Sequence, residues 1–220
     1  MTTLTESDLS ALRRAGLALG VIGVLDIASC ALAVSRGRGY SSSLNVFALV
    51  AGVMVYRGHT GAARFVVRGL SFLLGAFLVV PLVGPAFTPP RLLWVQMVLF
   101  PVPFAEAAAL YVGLMAALYW IRQTVAGVPL YGLARRVEPL HRSTAARVGA
   151  AIPLALAVVF PLLMNSAAGR RAVAEAQRQL GPHYSFHVTR LNQSTEGCTA
   201  TVVAYTDVDI RELEVECDAN

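Results

Sequence analysis

The sequence predicts a membrane-embedded all-α bundle of about five transmembrane helices, followed by a small C-terminal α+β module. The first observation is composition: 56% of the 220 residues are hydrophobic and only 14% are charged, whereas soluble domains carry about 25% charged residues. The second is a series of apolar stretches near the 20-residue length that crosses a hydrocarbon core. The third is the tail, where apolar and polar residues begin to alternate.

These patterns divide the chain into three parts. Residues 1–12 are predicted to form a cytoplasmic N-terminal stub, and residues 13–165 form the transmembrane bundle with a cytoplasmic loop at 122–147. Residues 166–220 form an extracytoplasmic module of one helix followed by three antiparallel strands. All eighteen basic residues are arginines, a bias that indicates a GC-rich coding sequence and favours a bacterial source.

Five apolar stretches form the predicted spans. The second is short, carries Asn45, and is expected to include residues 41–43. The fourth is too long for a perpendicular helix, and Pro101 and Pro103 should kink it because each proline removes a helical donor. The part before the kink is expected to lie at the interface or to re-enter. The spans run approximately over Ala15–Val34, Leu44–Tyr56, Phe65–Val83, Leu92–Ile121 and Val148–Met164.

The arginines predict the orientation, because cytoplasmic loops carry an excess of positive charge. With the N-terminus inside, ten arginines fall on the cytoplasmic side and five on the outer side. An odd number of spans then places the C-terminus outside the inner (plasma) membrane. The cytoplasmic group is Arg13, Arg14, Arg57, Arg64, Arg68, Arg122, Arg135, Arg136, Arg142 and Arg147, and the outer group is Arg36, Arg38, Arg91, Arg170 and Arg171.

Two segments admit a second interpretation. The cytoplasmic loop mixes apolar residues with arginines, which suits either an amphipathic helix on the inner leaflet or, preferably, a plain connection. At the N-terminus, Ile27 to Cys30 resembles a bacterial lipobox with Cys30 as the acylated residue. Asp26 interrupts the apolar region that a cleaved signal needs, so a retained first span is preferred.

The tail predicts a helix over Gly169–Leu180, with Val173, Ala176 and Leu180 on one face and Gly181-Pro182 as its end. Tyr184 to Thr189 alternates as a first strand, and residues 192–197 form a turn-rich break. The second strand is Cys198–Tyr205 and the third is Ile210–Cys217.

A four-residue loop at 206–209 sets the register of the last hairpin. Tyr205 then pairs with Ile210 and Cys198 with Cys217, while Ala200, Val202, Leu213 and Val215 share one apolar face. Directly opposed residues come within disulfide reach, and an oxidising compartment would preserve the bond. We therefore expect a Cys198–Cys217 disulfide and an apolar face covered by the preceding helix.

Polar residues within the apolar segments are the leading functional candidates. Asp26 and Glu106 are predicted at similar depth, with Asn45 and Gln96 as possible neighbours. Intramembrane carboxylates are costly and often functional, so the pair would suit a proton- or cation-coupled transporter or channel. The preferred interpretation is that both residues hydrogen-bond between helices, or that Glu106 reaches the interface. Small-residue steps at Gly16–Gly20 and at Ala109, Gly113 and Ala117 favour close helix packing.

No motif for catalysis or cofactor binding is present, whether a phosphate-binding glycine loop, an HExxH, a GxSxG or a CxxC. His183 and His187 lie roughly 13 Å apart on a predicted strand, too far to share a metal ion. The net charge of +5 does not indicate a nucleic-acid partner, because the arginines lie in short loops. We expect no metal and no cofactor, and we favour a non-enzyme.

The last hairpin is acidic, and this face either docks a basic partner, weakly holds divalent cations or, as the preferred interpretation, is simply solvated. Its residues are Asp207, Asp209, Glu212, Glu214 and Glu216. The expected function is a non-catalytic membrane protein of the bacterial envelope, an accessory subunit or assembly factor, that contacts the bilayer and a membrane or periplasmic protein. The alternatives are the coupled transporter and a membrane enzyme that acts on a lipid or envelope substrate.

Overall fold

The structure, a computed structural model, describes residues 5–35, 45–128, 139–193 and 197–218. The predicted extension of the second span at 41–43 and most of the loop, 129–138, lie outside the described residues. The helices are α1 Glu6–Ser35, α2 Asn45–Tyr56, α3 Thr60–Phe87, α4 Pro90–Leu99, α5 Pro101–Ala126, α6 Thr144–Met164 and α7 Ala167–Leu180, with a short 3-10 helix at Leu140–Arg142. The strands are β1 Ser185–Gln193, β2 Gly197–Tyr205 and β3 Ile210–Asp218. The prediction of a mostly helical chain that ends in a three-stranded antiparallel sheet is confirmed.

Four described helices, rather than the predicted five, are long and apolar enough to cross a membrane: α1, α3, α5 and α6. The fifth candidate, α2, has 12 residues and is about 18 Å long, shorter than a hydrocarbon core of about 30 Å. The predicted span over Leu92–Ile121 is divided into two helices, and the interruption falls at the predicted proline step. The chain breaks at Phe100 and Pro101 starts a new helix, since proline is favoured where the first helical donors need no partner.

Contacts divide the chain into two compact units. The first unit comprises residues 1–75 and 113–149, and the second comprises residues 76–112 and 150–220. The unit boundaries fall within α3, α5 and α6.

In the first unit, glycines bring α1 and α2 into backbone contact. A Cβ added to Gly16 would lie 2.5 Å from the backbone nitrogen of Tyr56 and 2.6 Å from the carbonyl oxygen of Gly52. A Cβ on Gly52 would lie 2.7 Å from the nitrogen of Gly20, whereas a Cβ on Gly20 itself meets nothing within 4 Å. The predicted Gly16–Gly20 pair therefore packs α1 against α2 of the same chain. Gly16 has no room for a side chain, whereas Gly20 has.

The turn after α2 lies beside the start of α1. Gly58 adopts a φ of +78°, a conformation that L side chains rarely adopt, and a Cβ there would lie 3.3 Å from the side chain of Leu9. Since Gly16 meets Tyr56 while Gly20 meets Gly52, α2 runs antiparallel to α1. The chain therefore begins α3 on the same side as the start of α1.

In the second unit, α7 covers one face of an antiparallel sheet ordered β1-β2-β3. The predicted register of the last hairpin is confirmed: Tyr205 pairs with Ile210 and Cys198 with Cys217. The buried core consists of Ala172, Ala176, Val188, Cys198, Ala200, Val202 and Val215. Because strand side chains alternate between faces, one register places all the sheet members of this core under the helix.

The helix α7 starts two residues earlier than predicted. The side chain of Ser166 accepts a hydrogen bond from the backbone N–H of Gly169, and Gly181 ends the helix with a φ of +83°. These residues are a favoured N-cap and a favoured C-terminal glycine. The residues that are buried against the sheet are Gly169, Ala172 and Ala176, while the predicted Val173 packs at the margin.

The first strand is longer than predicted and continues through residues assigned to a break. The pairing of β1 with β2 shifts between Val188 and Arg190, so that Thr189 is an extra residue. This bulge moves Leu191 opposite Ala200, on the apolar face. A strict alternation cannot anticipate an inserted residue, because every side chain beyond a bulge changes face.

Candidate functional site

An open cavity of about 540 Å³ lies where the end of α6, the helix α7 and the strand β1 meet in the second unit. We term it the helix–sheet cavity. Its volume is within the range of ligand sites in proteins, roughly 300–1,000 Å³. The lining is chemically divided: Phe160, Pro161, Met164, Val173 and Phe186 are apolar, and Asn165, Arg170, Gln177 and His187 are polar.

The turn between α6 and α7 holds the polar end of this cavity. Arg170 donates from Nη1 to the backbone carbonyl of Asn165 at 2.7 Å, which holds its guanidinium back towards the end of α6. Gly169 has no room for a side chain, because a Cβ there would lie 1.9 Å from the carbonyl oxygen of Met164. The close approach of α7 to the end of α6 therefore sets the position of Arg170.

His187 connects β1 to the end of α3. Its Nε2 lies 2.8 Å from the carbonyl oxygen of Phe87, so Nε2 carries the proton and donates it. The Phe87 ring in turn packs against Phe160 of α6, with centroids 5.2 Å apart. His183, which is exposed, does not line the cavity.

Two aspartates of the predicted acidic face are already engaged within the second unit. Asp207 accepts hydrogen bonds from Arg91 of α4, from Nη2 at 2.9 Å and from Nε at 3.2 Å. Asp209 accepts from the Tyr184 hydroxyl at 2.9 Å and from Arg211 at 2.8 Å. The Tyr184 hydrogen bond, followed by that of Arg211, lowers the pKa of Asp209 below its usual value. The bond to Asp207 raises the pKa of Arg91.

The three glutamates of the same face are exposed along β3. Glu212, Glu214 and Glu216 lie opposite Val203, Thr201 and Thr199. These three glutamates form the row on the strand itself, and Asp207 of the predicted five-residue acidic face is also exposed. The aspartates instead fasten the hairpin to α4 and to the start of β1.

The other polar residues singled out from the sequence belong to different helices. Asp26 is half-buried on α1 and belongs to the first unit, whereas Glu106 is exposed on α5 and belongs to the second. Gln96 is half-buried on α4, and its backbone carbonyl accepts from the N–H of Phe100 at 2.8 Å. Asn45 begins α2, and its side chain lies outside the described part. Cys30 is a half-buried free thiol within α1.

A buried arginine was missed by the sequence analysis. Arg122 is only 2% exposed, although the sequence pattern counted it among the arginines that set orientation. Its Nε donates to the hydroxyl of Ser71 at 2.7 Å, and that hydroxyl donates to the carbonyl of Val67 at 2.7 Å. The link joins α5 to α3 in the first unit. Ser71 on an otherwise apolar stretch of α3 was the available signal.

The geometry of the described residues offers no metal site. Within residues 5–35, 45–128, 139–193 and 197–218, no group of three or more His, Cys, Asp or Glu side chains could hold a metal ion. The described residues offer three candidate sites: a cavity that Arg170 lines, an exposed carboxylate on an apolar helix, and a row of glutamates.

No model of a protein family matches this chain, and comparison with curated proteins and with solved structures found no match either.

Proposed function

We propose that this chain is a non-catalytic integral protein of a bacterial inner membrane, and that it acts as an accessory subunit that docks a helix of another membrane protein on α5. The single observation that carries the proposal is the exposure of the first part of α5. Every described position from Pro101 to Leu110 is exposed, including Glu106.

The attachment of α5 within the second unit begins only after this stretch. The hydroxyl of Tyr111 donates to the backbone carbonyl of Phe77 on α3, and the two rings meet edge to face at 6.1 Å between centroids. The ten residues that precede Tyr111 are all exposed. A helix surface that is purely apolar would simply face lipid, but this one carries a carboxylate.

The depth of Glu106 sets how strongly a partner is needed. At about 1.5 Å per residue, Glu106 lies about 7.5 Å from the start of α5, and the 26-residue helix exceeds a 30 Å core by about 9 Å. Its carboxylate therefore lies close to the membrane boundary, where the cost is below the roughly 3 kcal/mol of a charge at the centre. A basic side chain on a neighbouring helix would offset that cost.

The occupant we propose is a transmembrane helix of a different protein that carries an arginine or a lysine at the depth of Glu106. Charge complementarity favours this occupant over a second copy of the chain, because a second copy would place two carboxylates together. Ala105 and Ala109, on either side of Glu106, are small and exposed, and small residues allow a partner backbone to approach closely.

The proposed topology places the N-terminus in the cytoplasm and α7 with its sheet outside. The arginine distribution supports this orientation by the positive-inside rule. The antiparallel return of α2 along α1 also supports it, because α3 then starts on the side where α1 starts. In the oxidising compartment outside, we propose a disulfide between Cys198 and Cys217, which the backbone pairs directly.

Site-specific photo-crosslinking in the native membrane tests the docking proposal. A benzoylphenylalanine at position 109 should give one defined product with a different membrane protein, whose crosslinked helix carries a basic residue near the attachment point. The matched control places the same probe at position 162, because Leu162 is 70% exposed on α6 and is predicted to face lipid. We expect no defined product there.

The variant Glu106→Leu then tests whether the partner recognises the carboxylate or merely lies near α5. It should lower the crosslinking yield at position 109 by about fivefold or more, while Glu106→Asp retains most of it. An equal yield from position 162, an unchanged yield in Glu106→Leu, or a product made of two copies of this chain would each overturn the proposal.

A further inference from the structure

We propose that the helix–sheet cavity binds an anionic amphiphile, a molecule with a phosphate or carboxylate head group and an acyl chain. This activity is separate from the docking of a partner on α5. It follows from the arrangement of the lining, which is apolar at the end that α6 contributes and cationic at the turn into α7.

The apolar end of the cavity continues a helix that is long enough to cross a membrane. Phe160, Pro161 and Met164 belong to the last turns of α6, whose 21 residues form a candidate span. An acyl chain could therefore enter the cavity directly from the hydrocarbon without crossing water. Phe186 and Val173 extend the apolar surface towards the sheet.

The polar end offers donors to an anion. The hydrogen bond to Asn165 employs Nη1 of Arg170, and a guanidinium has five N–H donors in a fork that matches carboxylate and phosphate oxygens. The first turn of α7 adds the partial positive charge of a helix N-terminus. Gln177, about two turns further along the same face of α7, lines the same cavity and can donate from its amide.

The same lining disfavours the other classes of ligand. No described residue that lines the cavity is acidic, so a cation would meet Arg170 without a compensating carboxylate. A purely apolar molecule would cover Arg170 and Gln177 without hydrogen bonds, which costs free energy. An amphiphile with a negative head satisfies both ends.

Binding to the full chain in a mild nonionic detergent tests the proposal, with native mass spectrometry or a thermophoresis titration as the readout. The probes are phosphatidylglycerol and myristate as anionic amphiphiles, phosphatidylcholine as a zwitterionic one, and inorganic phosphate. We expect at least one anionic amphiphile to bind about tenfold more tightly than phosphatidylcholine or inorganic phosphate. Tighter binding of phosphatidylglycerol assigns the ligand to the bilayer, and tighter binding of myristate assigns it to the free fatty acids.

Three variants distinguish binding inside the cavity from nonspecific attraction of an anion to positive charge. Arg170→Gln should weaken anionic binding by about tenfold or more, the usual effect of a lost charge-assisted hydrogen bond. Ala174→Trp, which fills the lining without changing charge, should weaken it similarly and carries the test if Arg170→Gln fails to fold. Arg171→Gln, the adjacent arginine outside the lining, should change affinity by less than twofold. Equal losses in Arg170→Gln and Arg171→Gln, unimpaired binding in Ala174→Trp, or equal affinity for phosphatidylcholine would overturn the proposal.

Discussion

Exchanging Gly16 for alanine should destabilise the chain, whereas the same exchange at Gly20, one turn later, should not. A Cβ at position 16 would lie 2.5 Å from the backbone of Tyr56, and ordinary contacts begin at 3.4 Å. The helices α1 and α2 would have to separate by about 1 Å. Forcing an extra group into a packed contact costs roughly 1–3 kcal/mol.

The helix propensity of alanine acts in the opposite direction at both sites. Alanine is favoured over glycine in a helix interior by about 1 kcal/mol. Gly16→Ala should therefore lose up to about 2 kcal/mol net, while Gly20→Ala, whose Cβ meets nothing within 4 Å, should be neutral or gain up to about 1 kcal/mol. The pair isolates the helix contact, because both sites lie on one helix and receive the same methyl group.

Unfolding in mixed micelles, followed by circular dichroism as the mole fraction of dodecyl sulfate rises, measures the two variants against the parent chain. Gly52→Ala provides a reciprocal check, since its Cβ would lie 2.7 Å from the nitrogen of Gly20. If Gly16→Ala proved as stable as Gly20→Ala, the direct backbone contact between α1 and α2 would be refuted.

Three further outcomes follow from the contacts described above. Arg122→Ala should destabilise the chain by roughly 2–4 kcal/mol in the same micelle assay, because it empties a buried site. Ser71→Ala should cost about 1 kcal/mol, because it removes one hydrogen bond. A larger effect of the serine variant would contradict this. With Cys198 and Cys217 linked, alkylation of the unreduced, denatured protein should modify one of its three cysteines. Reduction should lower the free energy of unfolding by about 3 kcal/mol, the value expected for a disulfide that closes a loop of this length. Three reactive thiols before reduction would exclude the bond. Asp209 has a lowered native pKa, so its stabilising effect is present above the unfolded value of 3.8 and is lost as the pH falls through the native value. The unfolding midpoints of Asp209→Asn and the parent should therefore differ at pH 7 and converge as the pH falls below 3.8. A constant difference would argue against a charge effect.

The last hairpin could be predicted from the sequence because local rules determine it. Strand alternation fixes which side chains share a face. The four-residue loop at 206–209 fixes which residues of the two strands pair with each other. Cys198 and Cys217 fall opposite each other in the structure for that reason. The strand β1 follows the same rule only as far as Val188, because the bulge that comes next inserts an extra residue.

The helical part was less predictable because hydrophobicity reports membrane compatibility and not neighbours. An arginine at the end of an apolar stretch has the same sequence pattern whether it faces water, as expected for Arg122, or lies buried against Ser71. Similarly, nothing local distinguishes a glycine such as Gly16, where an added side chain would meet another backbone, from Gly20, where it would meet nothing within 4 Å. The helix–sheet cavity combines residues from α6, α7 and β1, so only the assembled fold reveals it.

The glutamates of β3 also bear on how the chain avoids self-association. The strand β3 is at one edge of the sheet, next to β2 alone, and an edge strand offers unpaired backbone groups on which another chain could add a strand. Glu212, Glu214 and Glu216 place three like charges along that edge. Two copies brought edge to edge would place these like charges opposite each other. The row therefore disfavours amyloid-like pairing of β3 with β3 of another copy.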